Sequence, residues 1–180
     1  MDRCVALIVL AFSSDPAARW LYKDPQAYME NFPRFARAFG GAAFDHGGAH
    51  YVEGAAAALW LPPGAQSDEE AMLGLVEGSV PASDLPNFFG VMEKMAQAHP
   101  QEPHWYLPLI GTDPVRQCQG HGSALLGHAL AICDEQKLPA YLEATNPRNV
   151  ALYRRHGFEL MSTIQVGNSP TITPMLRRPR

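Results

Sequence analysis

The stretch Gln117-Cys118-Gln119-Gly120-His121-Gly122-Ser123 lies between two apolar segments of different period and constrains how they can be joined. Upstream, residues 104–112 (HWYLPLIGT) are dense in aromatic and aliphatic side chains and run into the turn formers Asp113 and Pro114, which predicts a buried strand. Downstream, Leu125, Leu126, Ala129, Leu130 and Cys133 recur at helical spacing, which predicts a helix from about 120 to 136. Both glycines therefore fall in a strand-to-helix turn. The first amides of a helix have no intrahelical partner and lie at the positive end of its dipole, so such a turn can receive a phosphate; glycine also serves simply to make a turn tight. The Walker pattern GxxxxGK[ST] is absent, and position 125 is Leu where GxGxxG needs its third glycine.

A chain of 180 residues can fill one core, and no linker divides it, so a single domain over 1–180 is expected. With 18% charged residues, a net charge of -4 and no basic stripe beyond the terminal Arg177, Arg178 and Arg180, nucleic acid is not an expected partner. No apolar run is long enough to span a bilayer, so no membrane partner is expected either. Cys4, Cys118 and Cys133 are odd in number and, like the scattered histidines, lack ligand spacing; they read as reduced thiols, without a metal. Arg3 followed by CVALIVLAF has the outline of a signal-peptide core. Asp2 offsets Arg3, however, and no small-x-small cleavage pattern precedes Asp15-Pro16, so a cytoplasmic location is expected.

In chain order, residues 2–12 predict an apolar helix that stops at Ser13-Ser14-Asp15-Pro16, where Asp15 can cap the next helical turn. Tyr28, Phe32, Phe35 and Phe39 then form a stripe on a helix from 25 to 39, which Pro33 should kink or split. Residues 49–53 and 55–61 predict an antiparallel hairpin. Ser67-Asp68-Glu69-Glu70 matches a capping box with Ser67 as the cap of a helix over 68–77, and a second helix is predicted over 84–98. After the glycine turn and its helix, AYLEAT (140–145) alternates as a strand with Tyr141, Glu143 and Thr145 on one face. Asn146 and Pro147 open a helix that Gly157 stops, and strands are predicted over 158–166 and 171–176.

On that last helix Asn149 and Tyr153 are four apart and share a face. A tyrosine packed on the sheet with its hydroxyl at the rim would explain the pattern; so would a polar site. Taken in order, Gln117-x-x-Gly120-x-Gly122 and Asn149-x-x-x-Tyr153-x-x-x-Gly157-Phe158 closely resemble the pyrophosphate loop and late motif of the GNAT superfamily of acyl-coenzyme A dependent N-acetyltransferases. The run from Tyr141 to Phe158 is most similar to the puromycin N-acetyltransferase-like subgroup. The resemblance covers residues 102–178 closely. Over 1–100 it is weaker, with Trp20 and the segment 58–64 (ALWLPPG) as its points of similarity. Two departures stand out: no strand is predicted before the first helix, and His121 stands where the family commonly has Lys or Arg.

The resemblance implies an α/β (α+β) fold, a mixed, mostly antiparallel twisted sheet flanked by helices and splayed at its central strands. Residues 1–100 would form the acceptor side and 101–180 the acyl-CoA-binding core. It implies acetyl-CoA as cofactor, with its pyrophosphate on Gln117, Cys118, Gln119, Gly120, His121, Gly122 and Ser123. The pantetheine arm would lie along Ile110, Gly111 and Thr112 beside Asn149, and Tyr153 would touch the cofactor and protonate the leaving thiolate. Pro108 cannot donate a ladder hydrogen bond and predicts a bulge or splay. Glu143 is the first candidate general base and His104 the second, a cross-strand ion pair being the other reading of Glu143. Trp20, Tyr22 and Tyr28 would bind the acceptor, a small-molecule primary amine or peptide N-terminus, in a monomer or homodimer. Two other classes fit the same loop: a CoA-binding module without catalysis, and a binder of another nucleotide, for which no ribose-reading acid stands in place.

Overall fold

Residues 2–180 are described in the computed structural model, which opens on helix α1 (Asp2–Phe12). Asp15 accepts from the amides of Ala17 and Ala18 and so caps α2 (Pro16–Leu21). Asp24 caps α3 (Pro25–Gly40) in the same way, and Pro33 does not split that helix. Tyr28, Phe32, Ala36 and Gly40 are its buried face, four residues apart, and Tyr28 and Phe32 stack at 4.8 Å. A short α4 (Ala42–Asp45) leads into the hairpin β1 (Ala49–Val52) and β2 (Ala56–Leu61), followed by α5 (Glu69–Ser79) and α6 (Leu85–Ala98). Then come β3 (Trp105–Thr112), a 3-10 turn at Pro114–Arg116, α7 (His121–Glu135), β4 (Ala140–Ala144), α8 (Pro147–Arg155), β5 (Glu159–Leu160) and β6 (Thr173–Arg177).

Six strands form one sheet in the order β1-β2-β3-β4-β6-β5, parallel only between β3 and β4. This is the expected mixed, mostly antiparallel sheet. Both faces are covered, as the continuous burial of β2 requires. Ala57, Leu59 and Leu61 pack with α1 and α3, while Ala56, Ala58 and Trp60 join Leu125, Leu126, Leu130 and Cys133 of α7. Among the described residues no helix is long and apolar enough to cross a membrane.

The irregularity expected at Pro108 is present and changes which way β3 faces. Leu59 pairs with Leu109 but Leu61 pairs with Tyr106, so two steps along β2 match three along β3, leaving one extra residue at Leu107-Pro108. Trp105 and Leu107 therefore face α7, whereas Leu109 faces α1 and α3. Beyond this point β3 and β4 part. Their pairing ends at Leu107 and Leu142, although β3 continues to Thr112.

Two expectations need correction. Asp68, not Ser67, caps α5 by accepting from the Ala71 amide at 3.0 Å; Ser67 is drawn away because its Oγ donates to the Phe39 carbonyl at the end of α3. The strand expected over 158–166 is ordered as β only at Glu159–Leu160, with one further bridge between Ile164 and Ile172. Between them the chain leaves the sheet, and Ile164 and Ile172 pack instead against Val91 of α6.

Candidate active site

A cavity of about 700 Å³ occupies the gap where β3 and β4 diverge. At one end lies the glycine turn. Gly120 has φ 86°, a left-handed conformation that costs an L side chain energy, and it directly precedes the first residue of α7. Gly120, His121, Gly122 and Ser123 line the cavity, so the unpaired first amides of α7 belong to its wall. The Gln117 side chain ties this turn to β3, donating from Nε2 to the Thr112 carbonyl at 3.5 Å. Arg116, Arg148 and Arg155 line the same cavity. These cations offset the absence of a basic residue at 121, and with the α7 terminus they fit a polyphosphate. Residues 109–112 of β3 pair with β2 alone, which leaves their other edge able to bond an extended, amide-bearing arm.

Midway along the cavity, α8 presents Tyr153 and Asn149. Asn146 caps this helix by accepting from the Arg148 amide, and Pro147 occupies its first turn, so its start is fixed at the end of β4. Asn149 is exposed on the cavity wall, while Tyr153 is buried with its ring 6.1 Å from that of Phe158. Burial raises the Tyr153 phenol above its ordinary range, and the nearby Asp15 carboxylate raises it further. The hydroxyl is held protonated. Asp15 is itself buried, and burial raises its carboxyl against the opposing bonds from Thr145 and the Ala18 and Ala17 amides.

The other end is apolar. Phe12, Trp20, Phe35, Phe88 and Met92 are among its walls, and the Trp20 indole is fixed by donating to Asn168 Oδ1 at 3.0 Å. One acid projects there from β4: the Glu143 side chain is only 4% exposed, and its Oε1 has no hydrogen-bond partner among the described residues. The nitrogen that faces it is His99 Nδ1, 3.8 Å from Oε1; no Lys or Arg pairs with Glu143 among the described residues. Tyr106 and Tyr141 face the same carboxylate, and both phenols are raised, first by burial and then by the Glu143 charge.

The fold thus brings Tyr153, Glu143, Asn149, Trp20, the β3 residues Ile110, Gly111 and Thr112, and most of the glycine turn to one cavity. Gln119 is exposed and is not part of that wall. Tyr22 and Tyr28 do not reach it: Tyr22 is buried and bonded to Ser79, and Tyr28 donates to the Val9 carbonyl within the α1–α3 core. Tyr22 stands just past the end of α2, and the Tyr28 hydroxyl is turned to α1. His104 stands outside the cavity wall, behind His99. Asp15 was expected only as a helix cap and Thr145 only as a strand residue, and neither these two nor His99 and the three arginines were expected at the site. Only Arg116, one residue before Gln117, carried a local signal for the loop.

Residues 27–158 match the Acetyltransferase (GNAT) family. An uncharacterised N-acetyltransferase of Schizosaccharomyces pombe is 24% identical over 200 residues, spanning 98% of this chain and 79% of the relative. A solved Corynebacterium glutamicum protein, described as histone acetyltransferase HPA2 and related acetyltransferase, superposes with a TM-score of 0.68 at 26% identity, covering 99% of this chain and 91% of its own. The polyamine N-acetyltransferase of Drosophila melanogaster shares the fold, with a TM-score of 0.59 at 12% identity over 98% of this chain and 94% of its own. With the family match spanning most of the chain, the protein belongs to the GNAT family of acyl-coenzyme A dependent acetyltransferases.

Proposed function

We propose that this enzyme acetylates the primary amine of a small molecule that carries an apolar body and a single ammonium. The carrying observation is Glu143: a buried carboxylate whose Oε1 has no hydrogen-bond partner among the described residues, in a cavity that is also lined by a helix N-terminus and three arginines. An ammonium pairs with that carboxylate; the other buried carboxylate on the wall, Asp15, is already engaged by Thr145 and the Ala17 and Ala18 amides, so a second cationic group among Phe12, Phe35, Phe88 and Met92 would be desolvated without a free partner.

In this reading Gly120 to Ser123 and the arginines hold the phosphates of acetyl-coenzyme A, and Ile110 to Thr112 with Asn149 hold its pantetheine arm. When bound, the cofactor supplies the thioester that the amine attacks. Glu143 takes a proton from the ammonium so that the nitrogen carries a lone pair. Tyr153, kept protonated by burial, holds the proton needed by the departing sulfur. Trp20 and the phenylalanines orient the acceptor and exclude water.

The test is thiol release from acetyl-CoA across 2-phenylethylamine, hexylamine, puromycin, agmatine and spermidine. Puromycin is included because residues 141–158 resemble its acetyltransferase subgroup. Turnover should favour the apolar monoamines by at least about tenfold in kcat/KM, roughly 1.4 kcal/mol. Preference for spermidine would overturn the acceptor assignment, and absence of coenzyme A binding by calorimetry would overturn the placement of the cofactor.

A further inference from the structure

Behind Glu143 the residues form a chain whose hydrogens can be assigned from acceptor chemistry. His104 Nδ1 lies 2.7 Å from the Glu102 carbonyl oxygen, which can only accept, so Nδ1 carries the hydrogen and Nε2 is bare in the neutral ring. His104 Nε2 lies 2.9 Å from His99 Nε2, so His99 must donate from Nε2. Neutral His99 is then left with a bare Nδ1, and that is the atom 3.8 Å from Glu143 Oε1. Its lone pair faces the orphaned carboxylate oxygen at that separation.

We propose that His99, with its tautomer set by His104, is the proton outlet of Glu143. This rests on the acetyltransferase reading and adds to it two positioning residues that act through Glu143. An N–H bond of the acceptor ammonium breaks and its proton joins the Glu143 carboxylate. The proton then passes to His99 Nδ1, giving an imidazolium whose Nε2–H remains donated to His104, and bulk water takes it from His99, whose side chain is 33% exposed. One proton moves from amine to solvent, no electrons are transferred, and Glu143 returns to its anionic form.

The surroundings suit this direction. Tyr141 stacks edge-on at 4.7 Å and Tyr106 at 4.8 Å, both raised phenols that do not compete for the proton. Glu102, the remaining acid nearby, is paired with Arg178. Burial lowers the His104 imidazole, with the charges of Glu143 and Glu102 opposing, so His104 serves at neutral pH as a bare acceptor toward His99.

Two measurements test the assignment. Long-range nitrogen–proton correlation NMR on the free enzyme should show His104 as the Nδ1–H tautomer and His99 as the Nε2–H tautomer. In Glu143→Gln the His104 titration midpoint should fall, since a charge that raises it is gone. The opposite tautomers would overturn the relay whether or not an acceptor is known. With the best amine of the panel, His99→Gln and His104→Gln should lower kcat roughly tenfold with the KM for acetyl-CoA unchanged, and added imidazole should restore part of the rate of His99→Ala. Wild-type kcat in His99→Gln and His99→Ala, in an enzyme that does acetylate, would overturn the relay and leave the acetyltransferase reading intact. Failure to bind coenzyme A would count against the reading and leave the tautomers to decide the relay's geometry.

Discussion

Thr145 Oγ1 donates to Asp15 Oδ2 at 2.7 Å, joining residues 130 positions apart across the cavity. The bond ties the cap of α2 to the end of β4, and so holds the cavity wall at Asp15 and Trp20 to the strand that carries Glu143. Asp15→Ala should cost about 2 kcal/mol, part from the lost cap and part from the orphaned Thr145 hydroxyl. Asp15→Asn keeps an acceptor for the Ala17 and Ala18 amides and removes a buried charge, and should stay within about 1 kcal/mol of wild type. Urea denaturation of both variants checks the difference.

Gly111 lines the cavity and is also held to glycine by close packing against α1. A Cβ there would lie 2.4 Å from Ala11 Cβ on α1. Gly111→Ala should therefore destabilise the fold by about 1–3 kcal/mol. Adding Ala11→Gly should recover part of that loss, and a double-mutant cycle reads the coupling.

Tyr153→Phe removes a hydroxyl and leaves the ring against Phe158. If the phenol is the proton source, kcat should fall by about a hundredfold. Coenzyme A affinity and the thermal midpoint should be nearly unchanged, which calorimetry and thermal unfolding would report.

The Arg177 guanidinium is buried and makes a two-point contact with Asp134, at 2.8 and 2.7 Å, which holds that carboxyl down at about 2. Because the folded value is depressed, the contribution to stability is present above the ordinary value of 3.8 and is lost as pH falls through about 2. Asp134→Asn should flatten the acid limb of a stability-pH curve in that window, and should also destabilise the protein at neutral pH by leaving Arg177 buried without its anion.

Much of the fold was legible because local signals agreed with it. The glycine turn, the Asn146-Pro147 start of α8 and the bulge at Pro108 each follow from one or two residues and their backbone requirements. The failures share a cause. Ser67 matched a capping box, but the Phe39 carbonyl, 28 residues away in sequence, took its hydroxyl. Tyr22 and Tyr28 do not line the cavity because their hydroxyls bond Ser79 and the Val9 carbonyl, distant partners that no local pattern announces.

By itself the sequence determined the order of elements, the glycine turn before α7 and the face shared by Asn149 and Tyr153, since these depend on neighbours three or four residues away. Tertiary structure alone decided the rest. The parting of β3 from β4 creates the cavity, and packing of α6 against the sheet sets His99 beside Glu143 and His104. The bond from Thr145 to Asp15 closes one wall. Such contacts join residues far apart in the chain, and their energies depend on burial and distance, quantities that exist only once the chain has folded.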